Sequence, residues 1–332
     1  PVEVPQGAIR LNTDSQKLEF YAQDQWWQMA TDVPTLDGGA RGIISGGNSP
    51  GASPYAKTDT IQYITIPTAG NAVDFGNLIA AKGYTAACAS RTRGVISGGS
   101  PSAVDTIQHI TIASTGDAID SADLTNGRSS HAAFSNQTRG IVASGGQDPS
   151  ALATIDYVTI SSLANAQDFG DLSGSRDYPG GYASPTRGIT AGGQTPTKIN
   201  IIEYITIATT GNAQDFGDLT VARRFLQGVG NSTRAIFGSG ATPSSVNVID
   251  YITMATKGNA TNFGDDIKIR LEGSAACSSP IRGTWGGGYT SPAGFNDISY
   301  ITIATEGDAV DFGDLLADVS SSSGCSNGHG GL

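Results

Sequence analysis

Most of this chain consists of a repeat of about 48 residues, and its most constant feature is a spacing. An arginine recurs once per repeat, at Arg41, Arg93, Arg139, Arg187, Arg234 and Arg282. Five tyrosines are each followed 12 positions later by a phenylalanine: Tyr63 and Phe75, Tyr157 and Phe169, Tyr204 and Phe216, Tyr251 and Phe263, Tyr300 and Phe312. Repeats of this length bury their faces against one another, so the fold has to be derived from one unit.

One repeat contains four segments with the composition of short strands: Gly83–Ser90, Arg93–Gly99, Thr106–Ile112 and Ala118–Leu124. They are rich in β-branched and small apolar residues and are separated by clusters of Gly, Ser, Thr, Asp and Pro. No stretch has a helical pattern. The third segment of the first repeat, Ile61–Ile66, has apolar residues on both faces, which is typical of a sheet packed on both sides. The sequence therefore predicts an all-β fold, a β-propeller of four-stranded blades rather than a sandwich.

The number of candidate first strands bears on how such a propeller closes. The second, third and fourth strands each occur six times, but seven segments could serve as a first strand. Val33–Ala40 and Ser320–Gly330 are both among the seven. The simplest arrangement has six blades, in which the C-terminal strand completes the blade begun by Arg41–Gly47 and removes an open sheet edge. His329–Leu332 then lies where a new second strand would begin. A seventh, irregular blade is the alternative. We assign residues 1–32 to an N-terminal β-module and residues 33–332 to the propeller.

Composition excludes several partners. The formal net charge of −11 argues against nucleic acid, because phosphate binding depends on clustered Lys and Arg, and against an anionic membrane surface. No apolar run approaches the roughly 20 residues that a membrane helix needs, so no membrane insertion is expected. No secretory signal is recognisable, so we expect synthesis in a cytoplasm.

The residues that could bind a metal or act in catalysis recur at fixed positions of the repeat, which favours structural roles for them. Cys88, Cys277 and Cys325 share one repeat position and are predicted to be small buried thiols rather than metal ligands or disulfide partners. Asp-Phe-Gly triplets recur in four repeats and are predicted to be strand-and-turn segments, with calcium binding by pairs such as Asp168 and Asp171 as the alternative. We predict no catalytic site, no cofactor and no metal.

The six repeated arginines admit an enzymatic alternative. Six-bladed sialidases gather several arginines around a substrate carboxylate, but their sites break the symmetry of the propeller, whereas these arginines obey the repeat. A second basic set precedes the first by 11 residues, at Lys82, Arg128, Arg176 and Arg223. Ion pairs with the repeated aspartates, or hydrogen bonds that cap backbone carbonyls, are the expected roles of the six arginines.

The N-terminal segment has a different pattern, with three short predicted strands at Ala8–Asn12, Lys17–Tyr21 and Gln25–Met29. A segment of about 25 residues cannot bury enough surface to be stable alone. Since adjacent strand residues face opposite sides, one of two neighbouring tryptophans would face the module and the other a partner. The candidate docking or oligomerisation residues are Ile9, Phe20, Tyr21, Trp26 and Trp27.

Two segments carry a resemblance to known proteins. The repeat, with Gly-Gly closing its second strand, resembles the kelch repeat and is similar to repeats in phage structural proteins. The N-terminal segment resembles one common in tailed-bacteriophage virion proteins, through Gly7, Ile9, Arg10, Asn12, Thr13, Asp14, Glu19, Tyr21 and Trp26. The resemblance implies a virion structural protein, of the tail fibre or appendage type, that is made in the host cytoplasm. It also implies other virion proteins as partners, and homo-oligomerisation, for which a trimer is one arrangement.

Recognition is expected on the loops between second and third strands, because variable loops on a rigid scaffold usually carry it. The longest is Asn48–Asp59 in the first repeat, and Thr290–Asn296 is the corresponding loop of the last. Tyr55 and Lys57 are the candidate contacts for a host surface glycan or protein. The alternatives to a tail fibre are a capsid decoration or head-fibre protein, a cytoplasmic kelch-like interaction scaffold and a glycan-acting enzyme.

Overall fold

The computed structural model describes residues 4–12, 17–28, 40–49, 56–147, 150–242, 246–291 and 293–332. The chain divides into two compact units, residues 1–38 and 39–332. The predicted boundary between residues 32 and 33 lies outside the described residues. Within the described ranges all regular elements are strands, which confirms the predicted all-β class. The described residues include no helix that is long and apolar enough to cross a membrane.

The N-terminal unit is a three-stranded antiparallel sheet of β1 (Ile9–Asn12), β2 (Lys17–Ala22) and β3 (Gln25–Gln28). Gln23 and Asp24, which join β2 to β3, have φ angles of 52° and 57°. A two-residue hairpin turn needs positive φ at both central positions when its twist matches that of the strands, and Asp tolerates this conformation. The turn therefore sets the register that pairs Tyr21 with Trp26.

The second unit contains six four-stranded antiparallel sheets within its described residues. Sheet 1 consists of β35 (Ser323–Ser326), β4 (Arg41–Ser45), β7 (Thr60–Thr65) and β8 (Val73–Asn77), and sheet 2 of β9 (Ala86–Ala89), β10 (Arg93–Ser97), β11 (Val104–Thr111) and β12 (Ile119–Arg128). Sheet 3 consists of β13 (Ala132–Ser135), β14 (Arg139–Ala143), β17 (Thr154–Thr159) and β18 (Gln167–Asp171), and sheet 4 of β19 (Gly180–Ala183), β20 (Arg187–Ala191), β23 (Ile201–Thr206) and β24 (Gln214–Asp218). Sheet 5 consists of β25 (Gln227–Gly230), β26 (Arg234–Gly238), β27 (Val248–Thr253) and β28 (Thr261–Asp265), and sheet 6 of β29 (Ala275–Ser278), β30 (Arg282–Gly286), β33 (Asp297–Thr302) and β34 (Val310–Asp314). Many small antiparallel sheets of this kind are consistent with a β-propeller-like fold.

Four of the loops between second and third strands form small two-stranded ladders of their own. They are β5 (Asn48–Ser49) with β6 (Ala56–Lys57), β15 (Gly146–Gln147) with β16 (Ser150–Ala151), β21 (Gln194–Thr195) with β22 (Thr197–Lys198), and β31 (Tyr289–Thr290) with β32 (Ala293–Gly294). These ladders extend beyond the Gly-Gly end of the second strands. The loops between second and third strands, which vary between the repeats, therefore all lie at this end of the sheets.

Sheet 1 joins the two ends of the repeat region. Its first strand is β35, near the C-terminus, which pairs antiparallel with β4 so that Cys325 lies opposite Ile43. Since β4 takes the place of the second strand, the final residues are left without a strand partner. The prediction that His329–Leu332 begins a second strand is therefore wrong, and this segment forms turns.

Close packing between neighbouring sheets explains the Arg-Gly dipeptide of the repeat. A Cβ atom at Gly140 would lie 2.9 Å from the Sγ of Cys88, which belongs to sheet 2, and one at Gly42 would lie 2.8 Å from the Cβ of Cys277 in sheet 6. A side chain at either glycine would displace a core residue of the adjacent sheet. In sheet 5 the same position is Ala235, which is fully buried.

The first strands also contact each other across the sheets. The first strand of each sheet contacts the first strand of the next sheet in chain order, and β29 of sheet 6 contacts β35 of sheet 1. The last residues pack beside these strands: the Nε2 atom of His329 lies 2.8 Å from the carbonyl oxygen of Ala89, and the backbone N–H of Gly330 donates to the Tyr182 hydroxyl at 2.8 Å.

Candidate ligand-binding site

The six repeated arginines join each sheet to the next. Arg187 of sheet 4 donates from Nη1 to the carbonyl oxygen of Met254 in sheet 5 at 2.7 Å, and its guanidinium lies 4.8 Å from the ring centre of Tyr204 in its own sheet. The other five donate likewise to the next sheet, Arg282 of sheet 6 reaching Pro67 of sheet 1 at 2.7 Å. These guanidinium groups cap backbone carbonyls, which is one of the two expected roles, and they do not converge on a common point.

The spacing of 12 residues between Tyr and Phe also has a structural basis. In five sheets the tyrosine of the third strand meets the phenylalanine of the fourth strand edge to face, with ring centroids 5.8 to 6.2 Å apart. The phenylalanines are buried. Such edge-to-face pairs are favoured by the aromatic quadrupole, so the fixed interval preserves one geometry in five sheets. The residues concerned are Phe75, Phe169, Phe216, Phe263 and Phe312.

The three arginines of the second basic set form buried ion pairs. Arg128 pairs with Asp156 at 2.8 Å and Arg223 pairs with Asp250 at 3.0 Å, with all four side chains fully buried. Arg176 pairs in the same way with Glu203, and Arg270, which the sequence pattern did not include, pairs with Asp266. The acidic partners are therefore not the aspartates of the Asp-Phe-Gly triplets: three of them immediately precede the repeated tyrosine.

The cysteines are buried and free. Burial raises the pKa of the Cys88 and Cys277 thiols to about 12, so both stay protonated at neutral pH, and a protonated thiol is a poor metal ligand. Within the described part of the chain, no three His, Cys, Asp or Glu residues are grouped so as to hold a metal ion.

Symmetry is broken on the side of the sheets opposite to the repeated arginines. Here the chain turns into each first strand through one residue, which lies nine positions before the repeated arginine in sheets 2 to 6 and nine before Gly330 in sheet 1. At five such turns this residue has a left-handed backbone with φ between 53° and 63°. Backbone hydrogen bonds of 2.7 to 2.9 Å link these turns in series. The residues at the five left-handed turns are Tyr84, Ser130, Tyr178, Phe225 and Ser321. Left-handed backbone is costly for bulky side chains, so three aromatic residues at these turns are exceptional.

The three aromatic residues form a cluster that joins sheets 2, 4 and 5. The ring centroids of Tyr178 and Phe225 are 4.1 Å apart, and that of Tyr84 lies 6.1 Å from Tyr178 and 6.5 Å from Phe225. The two tyrosines are half-buried, so part of this aromatic surface faces solvent. The cluster lies where several turns converge.

Charged residues of alternating sign surround the aromatic cluster. The Lys57 ammonium lies 5.0 Å from the ring centre of Tyr84, and the Arg224 guanidinium lies 4.8 Å from that of Phe225. Burial raises the pKa of the carboxyl groups of Asp177 and Glu272, and the charge of Arg224 partly offsets the rise at both. Two cations and two acids therefore flank one aromatic surface, a combination that suits recognition of a polar ligand with an apolar face.

One predicted recognition residue, Lys57, belongs to this site, where its ammonium donates to Oδ1 of Asn48 at 2.7 Å. The other, Tyr55, lies outside the described residues. The sequence prediction missed Tyr84, Tyr178 and Phe225. These three residues share one repeat position, which Ser or Gly occupies in the other three repeats. Large aromatic residues are unexpected in a turn, so this position could have indicated the site from the sequence.

The predicted docking residues lie on both faces of the N-terminal sheet. Ile9, Phe20 and Trp27 are aligned across the three strands, and Ile9 and Trp27 are 63% and 43% exposed. On the opposite face Trp26 packs on Tyr21, with ring centroids 5.3 Å apart, and on the Arg10 guanidinium at 4.1 Å. The row of Ile9, Phe20 and Trp27 is thus the apolar surface that this unit leaves open to a partner.

Comparison with known proteins gives no assignment: no protein-family model matches the chain, and no curated protein matches its sequence at a significant level.

Proposed function

We propose that the chain is a non-enzymatic structural protein of a phage virion, a tail fibre or appendage that displays a six-bladed β-propeller for attachment to a host surface. In this proposal sheets 1 to 6 are the blades and the N-terminal β-module docks to other virion proteins or to copies of the chain. The observation that carries the attachment role is the aromatic cluster of Tyr84, Tyr178 and Phe225, whose large residues stand at a turn position that holds Ser or Gly in the other three repeats.

Two sets of contacts support a closed ring. The first strands of sheets 6 and 1 contact each other as those of the other neighbours do. Arg282 donates from sheet 6 to sheet 1 as its equivalents donate around the series. Pairing of β35 with β4 also leaves β4 with no open edge, which removes one site for unwanted strand pairing.

The use of the arginines supports a non-enzymatic role. Each of the six repeated guanidinium groups is engaged with a neighbouring backbone, so the set does not form a cluster around one substrate carboxylate, as the glycan-acting enzyme alternative would require. A binding face needs only a rigid frame and a distinctive surface, and both features are present in this unit.

The virion assignment is tested by immunogold electron microscopy on purified particles of the phage that encodes the chain, with an antibody against residues 39–332. Gold at the tail or fibre tips is the expected result. Gold spread over the head would instead indicate a capsid decoration or head-fibre protein. Absence of gold from intact particles and of the chain from blots of disrupted particles would overturn the proposal in favour of a cytoplasmic interaction scaffold.

A further inference from the structure

We propose that a cavity beside the aromatic cluster binds one uncharged pyranose sugar, as the terminal residue of a surface glycan. The inference deepens the proposed attachment function and rests on it, because it names the ligand class of the same face. The cavity has a volume of about 250 Å³ and is lined by Ser100, Ala103, Ser130, Ser150, Asp177 and Tyr178, together with backbone of the neighbouring turns.

The size of the cavity limits the ligand. Sites for drug-sized ligands usually occupy about 300–1,000 Å³, so this cavity suits a single sugar ring better than a nucleotide or a peptide segment. It lies between the turns of sheets 2, 3 and 4, which are held by the backbone bridges of Gly83 with Ser100, Ser129 with Gly146, and Asp177 with Gln194. Because the walls are bridged backbone, the cavity is largely formed before a ligand binds, which lowers the entropic cost of binding.

Two residues that line the cavity each have a buried polar atom without a partner. Within the described residues, the buried Ser100 Oγ and Asp177 Oδ1 make no hydrogen bond. Buried polar atoms in native proteins almost always have a partner, so these two atoms call for a ligand or solvent that supplies one. A carboxylate oxygen accepts hydrogen bonds and a hydroxyl both donates and accepts, and the hydroxyl groups of a sugar complement both.

The aromatic wall of the cavity provides a surface for the apolar face of the sugar. A pyranose ring has an apolar face of C–H groups, and Tyr178 presents a half-buried ring to the cavity, itself held by Phe225 with 4.1 Å between centroids and by Arg224 at 5.3 Å from its ring centre. A ring fixed on two sides loses little conformational entropy when a ligand stacks on it.

The charge of the cavity wall favours binding of neutral sugars over acidic sugars. Asp177 is the only charged side chain among the described residues that line the cavity. An anionic sugar would place its carboxylate near that of Asp177, and like charges in a partly buried site disfavour binding. A sugar whose hydroxyl groups donate to Asp177 has no such penalty.

The test measures binding of the full chain to methyl pyranosides of glucose, galactose, mannose and N-acetylglucosamine, with N-acetylneuraminic acid as the acidic comparison, by saturation-transfer NMR and titration. We expect at least one neutral pyranoside to bind and the acidic sugar to bind more weakly. Asp177→Asn should weaken binding about tenfold or more, as loss of a charge-assisted hydrogen bond does. Asp168→Asn, on the exposed outer strand of sheet 3, is the matched control and should leave binding unchanged.

A second pair of variants tests the aromatic wall. Tyr178→Ala should lose binding, with an unchanged thermal transition as the check on folding, whereas Tyr178→Phe, which keeps the aromatic ring, should bind more tightly than Tyr178→Ala. Failure of all four neutral sugars to bind, or equal binding by Asp177→Asn and the unmodified chain, would overturn the inference. Immunogold labelling does not depend on sugar binding, so a labelled particle without sugar binding rejects the sugar site alone. Sugar binding by a chain that is absent from particles rejects the virion function alone.

Discussion

At the residue scale, the arginines of the repeat have two different structural roles. The six at the start of the second strands are half-buried and bind carbonyls of the next sheet, whereas Arg128, Arg176 and Arg223 are buried with an acidic partner. Removal of one partner of a buried pair leaves a charge without compensation, which costs more than the net contribution of the intact pair.

Arg223→Met should therefore lower the free energy of unfolding by about 3–5 kcal/mol, because Asp250 would remain buried with only Thr220 as a hydrogen-bond donor. Urea unfolding followed by circular dichroism measures the change. Lys268→Met removes an exposed ion pair with Asp297 at 3.5 Å and should cost at most about 1 kcal/mol. The double variant Arg223→Met with Asp250→Asn should recover part of the loss. Equal effects of Arg223→Met and Lys268→Met would contradict the assignment.

Two histidines with a lowered pKa should make stability depend on pH. Burial lowers the pKa of His131 to about 3 and the pKa of His329 to about 4, both below the usual value of 6.5. Above pH 6.5 both are neutral in either state, and below it the unfolded chain takes up protons first, so stability falls as pH falls from 6.5 towards 4. By pH 5 the loss is about 2 kcal/mol for each histidine.

Unfolding free energies measured at pH 5 and pH 7.5 test this dependence. His329→Gln keeps a side-chain N–H for the Ala89 carbonyl but does not titrate, so its loss between the two pH values should be smaller than that of the unmodified chain. An identical loss in both proteins would show that His329 is not the group responsible.

At the element scale, the strands were the easiest part of the fold to predict, because β-branched runs between turn residues specify them locally. The predicted segment Arg93–Gly99 contains the observed strand Arg93–Ser97. The candidate site was harder to predict, because Tyr84, Tyr178 and Phe225 are 47 or more residues apart in sequence and meet only through the packing of their sheets. The partners of the arginines were ambiguous for the same reason, since a carbonyl acceptor has no sequence signature.

The N-terminal sheet gives an element-scale prediction about assembly. Trp27→Ser in the full chain should reduce the size of its oligomers in light scattering, because it removes a large apolar side chain from the exposed row with Ile9 and Phe20. Burial of such a side chain in an interface is worth about 1.5–3 kcal/mol.

Gln25→Ser is the matched control, since Gln25 is exposed on the same strand face and should not affect assembly. Trp26→Ala should instead loosen the module itself, because Trp26 packs against Tyr21 and Arg10. A monomeric unmodified chain would contradict this prediction.

At the scale of the whole molecule, sheet 1 takes strands from both ends of the repeat region. Two segments were candidates for its first strand, Val33–Ala40 and Ser320–Gly330, and the simplest six-bladed arrangement favoured the second, which contains β35. The sequence did not predict the course of the last residues: Gly330 and its neighbours continue past β35 to contact sheets 2, 3 and 4, a path set by tertiary contacts such as the Tyr182 hydroxyl.

A disulfide across this junction tests the pairing. Ser45 and Ser323 are directly opposite in the register of β4 and β35, and their hydroxyl oxygens are 2.9 Å apart. Ser45→Cys with Ser323→Cys should form an intramolecular disulfide on oxidation and stabilise the fold by about 2–4 kcal/mol, because it closes a long loop in the unfolded chain.

Gel mobility and thermal unfolding, each with and without reductant, measure the cross-link. Ser323→Cys alone is the control, and the raised pKa values of the buried Cys88 and Cys277 thiols keep them from competing. Absence of the cross-link under oxidising conditions would contradict the observed register.

The pairing of β35 with β4 also governs the order of events during synthesis. Chains fold from the N-terminus as they leave the ribosome. Ser323 of β35 follows Ser45 of β4 by 278 residues, so β4 keeps an unpaired edge while the intervening chain is translated. During that interval the edge is available to any other nascent chain on the same message. Chaperones and the rate of translation between β4 and β35 therefore influence the yield of correctly paired protein.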